Sequence, residues 1–158
     1  MRALALLSLT LWLSACATAP AGNGSTAGSS SNTATATQTQ SFIAAMEAKR
    51  GSALTLAERL QVQGLTGTAK VGLNNTQNNF LNKIGAQVGL DGAVIAALFP
   101  EAGKPLSETA VVAKIESRLG KKLAAADQAA VKTATALRNN SLASLKTGLA
   151  ASIGSRIG

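Results

Sequence analysis

Aromatic side chains are nearly absent from this chain, which restricts the kind of core that it can build. The 158 residues include three Phe, one Trp and no Tyr. The core must therefore consist mainly of Leu, Val, Ile and Ala, which are all abundant. Ala and Gly allow elements to approach closely, but they bury little apolar area per residue.

The apolar residues recur at helical spacing. Phe80, Ile84 and Val88 lie four residues apart, with Leu81 beside them, and form one apolar face. Two further stripes are Val111, Val112, Ile115 and Leu119, then Leu142, Leu145, Leu149 and Ile153. The sequence predicts an all-α fold, a small bundle of six or seven short amphipathic helices.

Capping residues assign the helix boundaries. Thr55 and Glu58 fit a capping box, in which hydroxyl and carboxylate each satisfy a free backbone N–H. The other predicted N-caps are Ser41, Thr76, Asp91, Ser107, Asp127 and Ser141. Predicted ends or breaks are Gly51, Gly64, Gly120, the pair Asn139-Asn140, and a turn bracketed by Pro100 and Pro105. Residues 64–75 are expected to form a loop or a brief strand. Gly85 and Gly89 indicate close helix packing inside the bundle.

The first sixteen residues have the pattern of an export signal. Arg2 precedes an apolar run from Ala3 to Leu13, too short to span a bilayer, which needs about 20 residues. Leu13-Ser14-Ala15-Cys16 then resembles the lipobox of bacterial lipoproteins, and Cys16 is the only cysteine. The alternative is an ordinary secretory leader that happens to contain a cysteine.

The resemblance to lipoproteins implies that residues 1–15 are a signal peptide and that Cys16 becomes the acylated, palmitate-bearing N-terminus. Two or three acyl chains give a stable membrane anchor, whereas one chain binds only reversibly. Ala17, rather than Asp, follows the cysteine. In a Gram-negative host, this residue favours the periplasmic face of the outer membrane over retention in the inner membrane.

Composition divides the remainder into two parts. Residues 17–40 are mostly Ala, Thr, Ser, Gly, Asn and Gln and carry no charge, so we expect residues 16–40 to form a disordered tether. Residues 41–158 are long enough for a single helical domain with one core.

The chain contains few groups suited to catalysis. It has no His, and acylation would occupy its one thiol. The acidic residues form no close cluster suited to a metal, and most lie near predicted helix starts. We therefore predict no enzyme activity, no metal and no cofactor. A hydrolase using two distant carboxylates is a remote alternative.

Basic residues are concentrated towards the C-terminus. Residues 102–158 hold nine basic and three acidic side chains, against five and four in residues 41–101. An anionic lipid or envelope polymer is a candidate partner for this half. Candidate contacts are Lys114, Arg118, Lys121, Lys122, Lys132, Arg138 and Lys146. The alternative is a solvated face whose cations stabilise helix C-termini.

The sequence thus favours an exported envelope lipoprotein with a binding, scaffolding or assembly-accessory role. Its expected partners are the membrane, through the lipid anchor, and either an envelope protein or an anionic lipid or polymer. Nucleic acid is not expected, because the lipobox resemblance implies export and the chain has few aromatic residues for base stacking.

Overall fold

The computed structural model describes residues 30–157, with side chains from Thr37 onward. Helices are the only regular secondary structure in that range. They are α1 (Ser30–Arg50), α2 (Leu56–Val88), α3 (Gly92–Leu98), α4 (Glu108–Leu119) and α5 (Ala125–Ile157). The predicted all-α class is confirmed. The predicted six or seven short helices are wrong: the described residues form five, and α2 and α5 each have 33 residues.

Helix α2 joins stretches that the sequence pattern separated. Gly64 does not end a helix, residues 64–75 are neither loop nor strand, and Thr76 is an interior residue. Buried side chains recur every three or four residues through this stretch: Val62, Thr66, Ala69 and Leu73. Their burial offsets the cost of about 1 kcal/mol that each interior glycine imposes on a helix.

Helix α5 likewise runs through the predicted break at Asn139-Asn140, so Ser141 starts no helix. The side chain of Asn139 instead binds a loop residue: its Oδ1 accepts from the Leu106 N–H at 3.0 Å, and its Nδ2 donates to the Leu106 carbonyl at 2.8 Å. Asp127 lies in the first turn of α5 and does not cap it. Its Oδ1 accepts a hydrogen bond from Gln87 Nε2 at 2.7 Å.

Helix α1 begins inside the predicted tether, since residues 30–40 are helical. Ser41, the predicted cap, is an interior residue whose hydroxyl donates to the Thr37 carbonyl at 3.0 Å. Thr39 is buried, so this part of the helix packs against the fold. The predicted signal peptide, Cys16 and residues 17–29 of the tether lie outside the described residues.

Several predicted boundaries are confirmed. Asp91 and Ser107 cap α3 and α4 through their side-chain oxygens. Gly51 and Gly120 follow α1 and α4 with φ of 74° and 67°, a backbone region that favours glycine. Pro100 and Pro105 lie in the connection between α3 and α4, as expected.

The Gly85/Gly89 pair ends α2. Gly85 also lies against α3, since a Cβ built on it would be 3.9 Å from Ile95 Cγ1, whereas a Cβ on Gly89 would meet no atom within 4 Å. Gly89 has a φ of 67°, and the Leu90 N–H donates to the Gly85 carbonyl at 3.1 Å. This six-to-one hydrogen bond is the pattern of a Schellman motif. A Cβ at Gly85 would lie 3.0 Å from the Leu90 carbonyl oxygen, so the turn itself requires the small residue.

The described residues divide into two compact units. The first unit contains residues 30–71 and 146–157, and the second contains residues 72–145. The apolar core of the first consists of Phe42, Ile43, Leu54, Val62, Ala69, Leu149 and Ile153. In the core of the second, Phe80 and Phe99 meet edge to face with ring centroids 5.8 Å apart. A single domain over residues 41–158 stays a prediction.

Candidate functional site

The carboxylates of the first unit hold the connection between α1 and α2. Glu47 Oε1 accepts from the Leu54 backbone N–H at 2.8 Å and from Arg59 Nε at 3.0 Å. These hydrogen bonds, that from Leu54 foremost, lower the pKa of Glu47 because they favour the ionised form. Glu47 therefore serves as a fixed anion that positions the turn.

Glu58 forms the predicted capping box with Thr55. Its Oε2 accepts from the Thr55 N–H at 2.7 Å, and the Thr55 hydroxyl accepts in return from the Glu58 N–H at 3.3 Å. Arg50 Nη1 also donates to Glu58 Oε1 at 2.8 Å. The Arg50 hydrogen bond and then those from Thr55 lower the pKa of Glu58 from 4.5 to about 2.

This low pKa predicts a specific loss of stability in acid. The carboxylate of Glu58 contributes its full stabilisation above pH 4.5, and that contribution disappears as the pH falls towards 2. We expect the difference in unfolding free energy between the native chain and Glu58→Gln to shrink across this interval. Urea unfolding followed by circular dichroism at each pH measures it, and a constant difference from pH 6 to pH 2 would contradict the prediction.

In the second unit, Glu116 organises the turn after α4. Its carboxylate accepts from Lys122 Nζ at 2.7 Å, from the Leu123 N–H at 3.1 Å and from Gln128 Nε2 at 3.1 Å. The contact with Lys122 is the main cause of the lowered pKa of Glu116. Lys122 thus has an internal anion as partner, although its side chain is 87% exposed.

The predicted anion-contact residues differ in exposure and are divided between the two units. Arg118 and Lys121 are exposed and make no ion pair with another described residue. Lys114 is exposed, donates to the Leu98 carbonyl and lies 5.7 Å from the centre of the Phe99 ring. Lys132 is half-buried. Lys146 is also half-buried and belongs to the first unit.

Arg138 was wrongly predicted to contact an anionic surface, because it is 3% exposed. Its Nε donates to Gln77 Oε1 at 2.8 Å. Its two terminal nitrogens donate to loop carbonyls: Nη1 to Lys104, and Nη2 to Glu101 and Ala102, at 2.7–2.9 Å. Arg138 therefore holds the α3–α4 connection against α5, a role that no local sequence pattern indicates.

The charge excess also differs from the sequence prediction. Of the ionised side chains in described residues, the first unit holds six basic and two acidic, for +4. The second holds eight basic and five acidic, for +3. The C-terminal segment that seemed to make one basic half contributes Lys146 and Arg156 to the first unit. Each unit is therefore moderately cationic.

An apolar strip on α2 is the most unusual exposed feature of the first unit. Leu56, Leu60 and Val71 are 75%, 58% and 59% exposed. Leu56 and Leu60 are one turn apart, and Val71 follows about three turns later on the same side. We call these residues, with Gly64 and Gly67 between them, the apolar face. It was missed because the predicted helix ended before Gly64, which separated Val71 from the two leucines.

The two glycines leave the middle of the apolar face open. A Cβ built on either Gly64 or Gly67 would meet no atom within 4 Å, so neither glycine is needed for packing inside the fold. Each nevertheless weakens the helix relative to alanine. A backbone surface without side chains allows another helix to approach closely.

No protein-family model, curated protein or solved structure matches this chain. Within residues 30–157, the helices lack an apolar stretch long enough to cross a bilayer. The same residues contain no group of three His, Cys, Asp or Glu side chains placed to hold a metal ion.

Proposed function

We propose that this protein is an exported, lipid-anchored envelope protein that binds a partner protein through the apolar face and catalyses no reaction. The exposure of Leu56, Leu60 and Val71 along one side of a well-packed helix is the observation that carries the proposal. Exposed apolar side chains that share one side of a helix are typical of a surface that binds a partner. The lipobox pattern ending at Cys16 supports the anchor.

The carboxylates favour binding over catalysis. Glu47, Glu58 and Glu116 each accept several hydrogen bonds, and each has a pKa below its ordinary value. A general acid near neutral pH needs the opposite shift. These carboxylates fix turns and helix starts, which accounts for their positions without a reaction.

The occupant that best fits the apolar face is an amphipathic helix with acidic flanks. Its apolar residues would cover Leu56, Leu60 and Val71, and its backbone would approach over Gly64 and Gly67. The first unit carries +4, and its two carboxylates are already paired with Arg50 and Arg59. An acidic partner is thus electrostatically complementary, and it meets no unpaired carboxylate there.

Site-specific crosslinking in cells tests this proposal. A photoreactive side chain at position 60 of the anchored chain should give one reproducible protein adduct, whose crosslinked segment is an acidic amphipathic helix. Leu60→Glu should abolish the native association. Gly64→Ala should stabilise α2 by about 1 kcal/mol and yet weaken capture, because the added methyl group blocks close approach.

Gly148→Ala is the matched control, because Gly148 is also helical, in the first unit and open to a Cβ. It should stabilise its helix without changing capture. Adducts with lipid alone would mean that lipid, and not a partner protein, covers the apolar face. An adduct of twice the chain mass would indicate a second copy. Either result, or undiminished capture by Gly64→Ala, would contradict the proposed partner.

A further inference from the structure

A groove opens between α2 and α5 within the second unit and encloses about 190 Å³. Its α2 wall consists of Thr76, Asn79, Phe80 and Lys83. Their offsets of three, four and seven residues place all four side chains on one side of the helix. We call this feature the α2–α5 groove.

The α5 wall repeats the same offsets with Ala134, Leu137, Arg138 and Ser141. Leu137 is 52% exposed, so it offers apolar surface that the fold itself leaves uncovered. Neither wall contributes a carboxylate. The groove thus combines hydroxyl, amide and cationic groups with apolar surface.

The charge of Arg138 is not neutralised within the described fold. All of its hydrogen bonds go to uncharged carbonyl and amide oxygens, and its other close neighbour is the Phe80 ring, 5.3 Å away. Burial lowers the pKa of the Arg138 guanidinium, as expected for a cation without a counter-ion. Lys83 at the groove is exposed and forms no ion pair with a described residue. The two cations together make the groove attractive to an anion.

The available donors favour a single carboxylate over a phosphate. The N–H groups of Arg138 already donate hydrogen bonds within the fold, so the Lys83 ammonium is the cationic donor that remains for a ligand. Thr76, Asn79 and Ser141 add neutral donors. A phosphate is bound best by several charged donors or by a free guanidinium fork. The volume is below the roughly 300–1,000 Å³ of sites for drug-sized molecules, so the part of the ligand that enters the groove has about a dozen non-hydrogen atoms or fewer.

We propose that the α2–α5 groove binds a carboxylate carried on a short apolar body. The carboxylate pairs with Lys83 in the field of Arg138, and the apolar body lies against Phe80 and Leu137. The source is either a free small acid or the C-terminal residue of a polypeptide, which present the same chemistry. This site is in the second unit, so it is independent of the apolar face.

Titration with 4-methylpentanoate, followed by amide NMR shifts, tests the site on the full chain in a nonionic detergent. We expect a Kd of about 1 mM for so small a ligand, with shifts at Asn79, Lys83 and Ser141. The uncharged 4-methylpentanamide should bind at least about tenfold more weakly, because it lacks the charge-assisted hydrogen bond.

Lys83→Gln should weaken binding of the acid about tenfold and leave binding of the amide unchanged. Lys132→Gln is the matched control, because Lys132 is on α5 and does not line the groove. Equal binding of acid and amide, shifts confined to other residues, or equal effects of the two lysine variants would overturn the proposal.

N-acetyl-leucine separates the two sources. Binding at least about tenfold tighter than that of 4-methylpentanoate supports a polypeptide C-terminus, and equal or weaker binding supports a free small acid. Either interpretation requires that the amide shifts occur at groove residues and that Lys83→Gln weakens the binding. Leu60→Glu should leave the titration unchanged, which distinguishes failure at this site from failure of the apolar face.

Discussion

Replacing Arg138 by methionine should lower the unfolding free energy by about 3–5 kcal/mol, a large share of the roughly 5–15 kcal/mol that stabilises a typical domain. The substitution keeps much of the buried volume but removes every N–H donor of the guanidinium. Gln77 Oε1 and the carbonyls of Glu101, Ala102 and Lys104 then lose their partner. A buried acceptor left without a donor costs about 1–3 kcal/mol, although water can reach part of this loop.

Two further variants separate charge from geometry at this position. Arg138→Lys keeps the cation but has three donors in a compact group, so it should lose less than methionine but still be destabilised. Lys132→Met, on the same helix, should change stability by less than about 0.5 kcal/mol. Urea unfolding should be followed by circular dichroism, because the one Trp is Trp12, in the predicted signal peptide. A loss below about 1 kcal/mol for Arg138→Met would contradict the assigned role.

Local signals predicted the helix ends that depend on neighbouring residues. Asp91 and Ser107 satisfy backbone donors two or three residues away, so their contribution is visible in a short stretch of sequence. Gly120 adopts a positive φ just after α4, which also depends on local geometry. The capping box of Thr55 and Glu58 belongs to the same class. These interactions form between residues that are close in sequence, so they can be predicted without knowledge of the tertiary packing.

The wrong boundaries depend on residues far apart in the chain. Asn139 looked like a helix break, but its amide reaches Leu106, 33 residues earlier. Gly64 was predicted to end a helix, but buried neighbours on the other side of α2 keep the helix intact. Intrinsic propensity amounts to about 1 kcal/mol per residue at most for glycine, so packing readily overrides it.

The candidate sites were hidden for the same reason. Nothing near Arg138 in the sequence distinguishes it from the exposed Lys and Arg residues, because its hydrogen-bond partner Gln77 is 61 residues away. The α2 wall of the α2–α5 groove lies within the helix that the sequence predicted from Thr76 onward. The α5 wall, however, requires α5 to continue past Asn139, where the sequence pattern predicted a break. The repeated offsets of its walls, at 76, 79, 80 and 83 and at 134, 137, 138 and 141, are recognisable once the helices are known to be continuous.

Ile84→Ala should lower the unfolding free energy by about 2–5 kcal/mol, because it opens a cavity in the core of the second unit. Ile84 is fully buried, and the same core contains Phe80, Ile95 and Ile115. With few aromatic rings, this core depends on many aliphatic contacts. Helices α2 and α4 supply several of these contacts. The connections at their ends limit how far the two helices can move into the space left by the lost side chain.

A series at this position distinguishes cavity formation from a general loss of hydrophobicity. Ile84→Val removes one methylene group and should cost about 0.5–1.5 kcal/mol. Leu60→Ala removes more apolar volume than Ile84→Val does. Because Leu60 is 58% exposed, the unfolding free energy should nevertheless change by less than about 0.5 kcal/mol. Urea unfolding measures all three variants. Equal losses for Ile84→Ala and Leu60→Ala would mean that α2 is buried on a different side, which would remove the basis for both the aliphatic core and the apolar face.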